Sequence, residues 1–217
     1  MFDWLRKTRK AKAPSNDDWE KKVVWLPADH PDNSFKEEVL DCREVALGFW
    51  SATNNPDVAK SFSDLRKSDG RECVGKLPER AMLFDCELSF PYDGRDTDGC
   101  FFRARAMEDK WDFFSFDYKL YVRRSWTGRL IHVAECAFSS NTVRIHRIYS
   151  EPNTVFEDRD YGVSQLHFLI ASHLNGKLIP FPIPPEFTRE ATKAIALMGF
   201  NDYGRRAQFA TFARYSG

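Results

Sequence analysis

The chain lacks most of what makes function legible in a sequence. It has no net charge, since 32 Lys and Arg balance 32 Asp and Glu. Phosphate neutralisation supplies most of the affinity of a nucleic-acid-binding domain, so such domains are usually basic, and neutrality argues against that partner. No apolar run reaches the ~18 residues needed to cross a bilayer, and no apolar core of a signal peptide is visible. The five cysteines (Cys42, Cys73, Cys86, Cys100, Cys136) are odd in number and form no C-x-x-C. That pattern implies neither a disulfide framework nor a zinc site, and the expectation is a reduced, cytoplasmic protein. The glycine-rich phosphate loop, the dinucleotide fingerprint and the G-x-S-x-G elbow are all missing. No internal repeat occurs, and no cofactor is implied.

Aromatic residues are plentiful, with 19 Phe among 217 residues. They suggest a core built on rings and one apolar surface that meets something. Residues 1–33 read as an N-terminal basic and linker segment. Its first twelve residues have an apolar head and a basic tail, and Pro14, Pro27 and Pro31 follow. Trp19 and Trp25 suggest that part of it is pinned to the body.

Residues 34–217 read as one domain. Ser34 and Glu37 fit a capping box ahead of Phe35, Val39, Cys42, Ala46 and Phe49 at helical spacing, which predicts a helix over about 35–53. Asn55 caps a second helix with Pro56 at its first position. Val58, Phe62 and Leu65 line it until Ser68-Asp69-Gly70. From about 81 to 149 the period changes to two. The expected strands are Ala81–Phe90, Cys100–Met107, Lys110–Phe116, Leu120–Ser125, Leu130–Ala137 and Thr142–Tyr149. Two helices follow, Tyr161–Leu174 and Glu186–Met198, separated by extended Ile179–Pro185, with Gly199 as the stop of the second. Helices, then strands, then helices is the order of an α+β fold. The expectation is a five- or six-stranded, mostly antiparallel sheet with helices packed on one face.

The densest chemistry lies in residues 119–133. Two strand-like runs flank Arg123-Arg124-Ser125-Trp126-Thr127-Gly128, and a tight turn needs far less. Guanidinium, hydroxyl and indole groups together could hold a phosphate and stack a base. Arg123, Arg124, Ser125, Trp126, Thr127, Gly128 and nearby His132 are therefore the candidate ligand-binding residues. The competing reading is structural: Trp126 folds over the hairpin end, Thr127-Gly128 makes the turn, and the arginines are solvated or paired with Asp112 and Asp117.

Arg124 to Gly128, preceded by Trp111-Asp112-Phe113-Phe114 and Leu120-Tyr121, resembles a motif of uncharacterised bacterial proteins associated with ADP-ribose-processing proteins. The later helix, with Asp160-Tyr161, Leu166-His167-Phe168-Leu169-Ile170 and Leu174, belongs to the same resemblance. It spans about residues 111–176. It implies that Arg124–Gly128 act as one unit, and it transfers no catalytic residue.

Other clusters carry less. Asp93-Gly94-Arg95-Asp96-Thr97-Asp98-Gly99 looks like a calcium loop, but its twelfth position would be Arg105 rather than Glu. His132 and His146 could face each other across neighbouring strands, yet a metal would need a third ligand, and no metal site is expected. Ser125, Ser139, Ser140 or a cysteine could serve as nucleophile only beside a base placed by the fold. Asp112, Asp117, Glu135, Glu157, Asp158 and Asp160 could supply acid–base chemistry. Tyr203–Phe209 mixes Arg205 and Arg206 with rings, which suits a docked tail better than a nucleic-acid contact in a neutral chain.

Three functions follow as expectations. The first is a bacterial, cytoplasmic interaction protein, partner-binding or immunity-like and not catalytic, with a protein as its partner. The second is an enzyme or sensor for a nucleotide-like or ADP-ribose-like small molecule at the 119–133 hairpin. The third is peripheral membrane attachment through residues 1–12, although membrane and nucleic acid are not the expected partners.

Overall fold

In the computed structural model, residues 19–51, 53–152 and 159–215 are described. The basic segment of residues 1–12 and the carboxylates Glu157 and Asp158 lie outside them.

The period-two region folds as its alternation requires. Six strands, β3 (Met82–Pro91), β4 (Gly99–Phe102), β5 (Trp111–Phe116), β6 (Lys119–Arg124), β7 (Leu130–Phe138) and β8 (Thr142–Ser150), form an antiparallel sheet. Their order is β3-β8-β7-β6-β5-β4. The fold is α+β. A second sheet, not anticipated from the sequence, joins β1 (Trp25–Leu26), β2 (Val39–Asp41), β10 (Phe209–Thr211) and β9 (Phe181–Pro182). β9 and β10 run parallel there, and the other pairings are antiparallel. The chain around Trp25 is thus a strand of the body.

Among the described residues, four α-helices accompany the sheets: α1 (Arg43–Gly48), α2 (Pro56–Leu65), α3 (Arg159–Leu169) and α4 (Thr192–Tyr203). A π-helical turn, Ile170–Leu174, extends α3. Asn55 caps α2 as its sequence predicts, with the side-chain oxygen accepting from Asp57 N at 2.9 Å. Side chains alternate across β5 and β6. Trp111, Phe113, Leu120 and Val122 therefore enter the main core with residues of α3, α4 and the second sheet. Phe114, Phe116 and Tyr121 enter a smaller cluster with Cys73 on the opposite face. Gly70 makes that cover possible. Its φ is +88°, and a Cβ there would sit 2.2 Å from the Phe114 ring.

Three elements differ from expectation. The helix over 35–53 is a strand and a short helix, because Val39–Asp41 pairs with both Trp25–Leu26 and Phe209–Ala210. The strand over Cys100–Met107 stops at Phe102. Beyond it, the Asp112 carboxylate takes the Ala104 N–H at 2.9 Å, where a ladder partner would have stood. The last helix starts at Thr192 rather than Glu186 and runs through Gly199, read from the sequence as its stop. The Phe181 ring lies where a Cβ on Gly199 would be, 2.4 Å away, so that glycine serves close packing.

Candidate functional site

The end of the β6–β7 hairpin is built on a glycine. Gly128 has φ +70°, donates to Arg124 O at 2.9 Å, and leaves 3.0 Å for a Cβ against Leu65. Around that turn, hydrogen bonds run to α2 and to the Met107–Lys110 turn. Ser125 Oγ donates to Asp109 O at 2.7 Å, and Ser125 N donates to Lys110 O at 2.9 Å. Trp126 Nε1 donates to Met107 O at 2.9 Å, while Trp126 O accepts from Ser61 Oγ at 3.0 Å. Thr127 Oγ1 accepts from Arg129 N at 3.3 Å.

The two arginines go to opposite faces of the sheet. Arg123 is 1% exposed, pairs with Glu72 and with Asp112 at 3.4 Å, and lies 4.6 Å over the Phe114 ring. Arg66 grips the same Asp112 with two bonds of 2.7 Å and also reaches Ser125 O at 3.1 Å. Asp112 is fully buried, so this fork ties the end of α2 to the hairpin. Arg124 lies over Trp111, 4.8 Å from its centroid. It donates to Asn201 O at 3.0 Å and Asp202 O at 3.1 Å, near the negative end of α4.

His132 shares the Arg124 face of the sheet and is 1% exposed. Its Nδ1 meets Ser150 Oγ at 2.8 Å and its Nε2 meets Gln165 Oε1 at 3.1 Å. Gln165 Nε2 donates to Tyr203 OH at 3.0 Å, which leaves its oxygen for the imidazole. The proton therefore sits on Nε2, and Nδ1 accepts from Ser150. Burial pulls the His132 pKa down to about 4, so the ring is neutral. The pair does not match a hydrolytic Ser–His pair, because a neutral amide backs the imidazole and both residues are buried. His146 does not face it. A register shift between β7 and β8 turns His146 outward, 3.4 Å from Glu135. Among the described residues, no three His, Cys, Asp or Glu come close enough to hold a metal ion. No described helix is long and apolar enough to cross a membrane.

Sequence reasoning missed Lys110. The hairpin bonds hold the Met107–Lys110 turn, and Lys110 is 6% exposed. Its Nζ donates to Ser51 Oγ at 2.5 Å and Met107 O at 2.9 Å. The Trp126 and Phe200 rings flank it at 4.5 and 5.5 Å. Neither acceptor is a carboxylate. Burial, with the Arg124 charge nearby, brings its pKa from 10.5 down to about 8. Ser51 is half-buried, and its N–H donates to Glu108 Oε1 at 3.2 Å. No local signal marks this meeting, since 59 residues separate Ser51 from Lys110.

Beside Ser51 the surface changes character. Trp50 is 73% exposed, with the Arg205 guanidinium 4.8 Å over its ring, and Leu47, on α1, is 52% exposed. Elsewhere, two concavities of ≈ 670 and ≈ 720 Å³ flank the C-terminal tail and share Arg214 and Tyr215. Several of their polar groups are engaged within the fold. Arg214 donates to Ile183 O and Phe212 O, Arg159 to Asp85 O, and Ser164 Oγ accepts from Tyr215 N.

Comparison with protein-family models, with curated proteins and with solved structures finds no match to this chain.

Proposed function

We propose that the chain is an interaction protein of the bacterial cytoplasm, partner-binding or immunity-like, which docks a protein through the end of α1. The carrying observation is Trp50, 73% exposed beside half-exposed Leu47 and capped by Arg205. An indole with an arginine on its face is the kind of group that anchors interfaces, where Trp and Arg dominate the hot spots. The Arg124–Gly128 unit is then the scaffold behind that surface rather than the site. The nucleotide-like reading has less support, because a phosphate at Arg124 would have to displace its bonds to Asn201 and Asp202.

The test is affinity isolation from the native cell with wild type and the Leu47→Ser, Trp50→Ala double variant. A partner held by wild type and lost by the folded variant supports the reading. Truncating a hot spot costs about 2 kcal/mol or more, roughly thirtyfold in Kd. A partner retained equally by both proteins refutes the assignment to this surface.

A further inference from the structure

We propose that Ser51 and Lys110 form a nucleophile–base pair that accepts an acyl group from an activated ester or thioester. The inference goes beyond partner binding, and either can fail without the other.

Lys110 Nζ lies 2.5 Å from Ser51 Oγ, within direct proton-transfer distance. The amine has no carboxylate among its hydrogen-bond partners in the described residues, and the rings of Trp126 and Phe200 keep it dry. Burial disfavours the ammonium more than the charges of Glu108, Asp202 and Asp109 favour it, and an apolar side chain would fill the same space at less cost. That cost has a use if the amine must lose its proton near neutrality. With a pKa of about 8, roughly one amine in ten is free at pH 7. Ser51 stands where this dry amine meets solvent, half-buried beside exposed Trp50.

The hairpin motif gains a purpose here. Ser125 N, Ser125 Oγ and Trp126 Nε1 hold the oxygens of Lys110, Asp109 and Met107 in turn. Three bonds to one short turn fix the lysine's backbone, and the Trp126 ring covers its ammonium. Ser51 is held from its own side by the bond from its N–H to Glu108.

The step balances. Free Lys110 Nζ takes the proton of Ser51 Oγ as that oxygen bonds to the carbonyl carbon. Collapse of the tetrahedral adduct breaks the bond to the leaving oxygen or sulfur, which takes the proton from Nζ. Ser51 is left as an ester and Lys110 as the free amine. Water, deprotonated by the same amine, releases the acid.

The probe is p-nitrophenyl acetate, with the acetyl group mapped by peptide mass spectrometry. Wild type should carry acetyl on Ser51, with a rate that climbs with pH and levels off above about 8. Ser51→Ala should carry none on that peptide. Lys110→Met and Lys110→Arg, confirmed folded by circular dichroism, should slow Ser51 acetylation about 100-fold or more, as loss of a general base does. Ser51→Cys, whose thiol needs less help from a base, should still be acetylated in the Lys110→Met background, which shows that the position remains accessible. Acetyl groups only on lysines, with Ser51 unmodified, would overturn the proposal. So would a Ser51 rate unchanged in Lys110→Met.

Discussion

Replacing Lys110 with methionine should stabilise the protein at neutral pH, and the gain should vanish in alkali. The lysine pKa falls from 10.5 to about 8 on folding, a shift of about 2.5 units. At about 1.4 kcal/mol per unit, the folded state carries a penalty of at most about 3 kcal/mol. Between about pH 8 and 10.5 the unfolded lysine holds a proton that the folded one has released, so wild-type stability rises with pH across that window. Below about pH 8 both states are protonated and the full penalty remains. Methionine fits the slot between Trp126 and Phe200 and keeps a sulfur–ring contact. It forfeits a cation–π contact of about 1 kcal/mol and the bonds to Ser51 Oγ and to Met107 O, which keeps its bond from Trp126 Nε1, for about 1 kcal/mol more. The net gain at pH 7 is about 1 kcal/mol. Urea unfolding of both proteins from pH 7 to 10.5 measures it. The variant should lead at pH 7, and wild type should overtake it by about pH 10. A difference that stays constant across the range would refute a buried, charged lysine, and with it the reasoning on Ser51.

Further consequences follow from the same contacts. Asp112→Ala removes the carboxylate shared by Arg66 and Arg123 and strands buried guanidiniums, so urea unfolding should show a loss of about 3–5 kcal/mol, and a loss under about 1 would contradict the network. Burial depresses His132 to about 4 and His173 to about 3, against 6.5 when unfolded. Their contribution is complete above about pH 6.5 and is lost as pH falls through 4 and then 3, so the urea midpoint should drop steadily over that range, and an unchanged midpoint at pH 4 would be evidence against it. Cys100 is exposed while the other four cysteines are buried, with Cys86 pushed up to about 11 and Cys136 to about 12 by burial. A thiol reagent should therefore titrate one cysteine in the native protein and five in urea. A second fast native thiol would mean that the core opens locally.

The large sheet was readable because its signals are local. Alternation along Trp111–Phe116 and Leu130–Phe138, with short polar turns between, leaves few alternatives. The second sheet was hidden because its strands are short and its pairings span the chain: Val39–Asp41 meets Phe209–Ala210 and residues around Trp25. Phe35, Val39, Cys42, Ala46 and Phe49 kept helical spacing by accident of a strand followed by a helix. Gly199 misled for another reason, since sequence alone cannot tell a glycine that ends a helix from one that admits a ring. At the hairpin, the chemistry of residues 123–128 was visible but its direction was not. Those donors turn inward, toward Met107, Asp109, Asp112 and Asp202. Lys110 read as the first residue of a strand, and nothing nearby announces that Ser51 will lie against it.

Photo-crosslinking in the native cell shows directly whether the end of α1 is the working surface. A photoreactive phenylalanine analogue is placed in turn at positions 47, 50, 83 and 178, all exposed apolar sites. One discrete cross-linked protein is expected from positions 47 and 50 and none from 83 or 178. Cross-links from 83 or 178 with none from 47 and 50 would contradict it and move the working surface elsewhere on the fold.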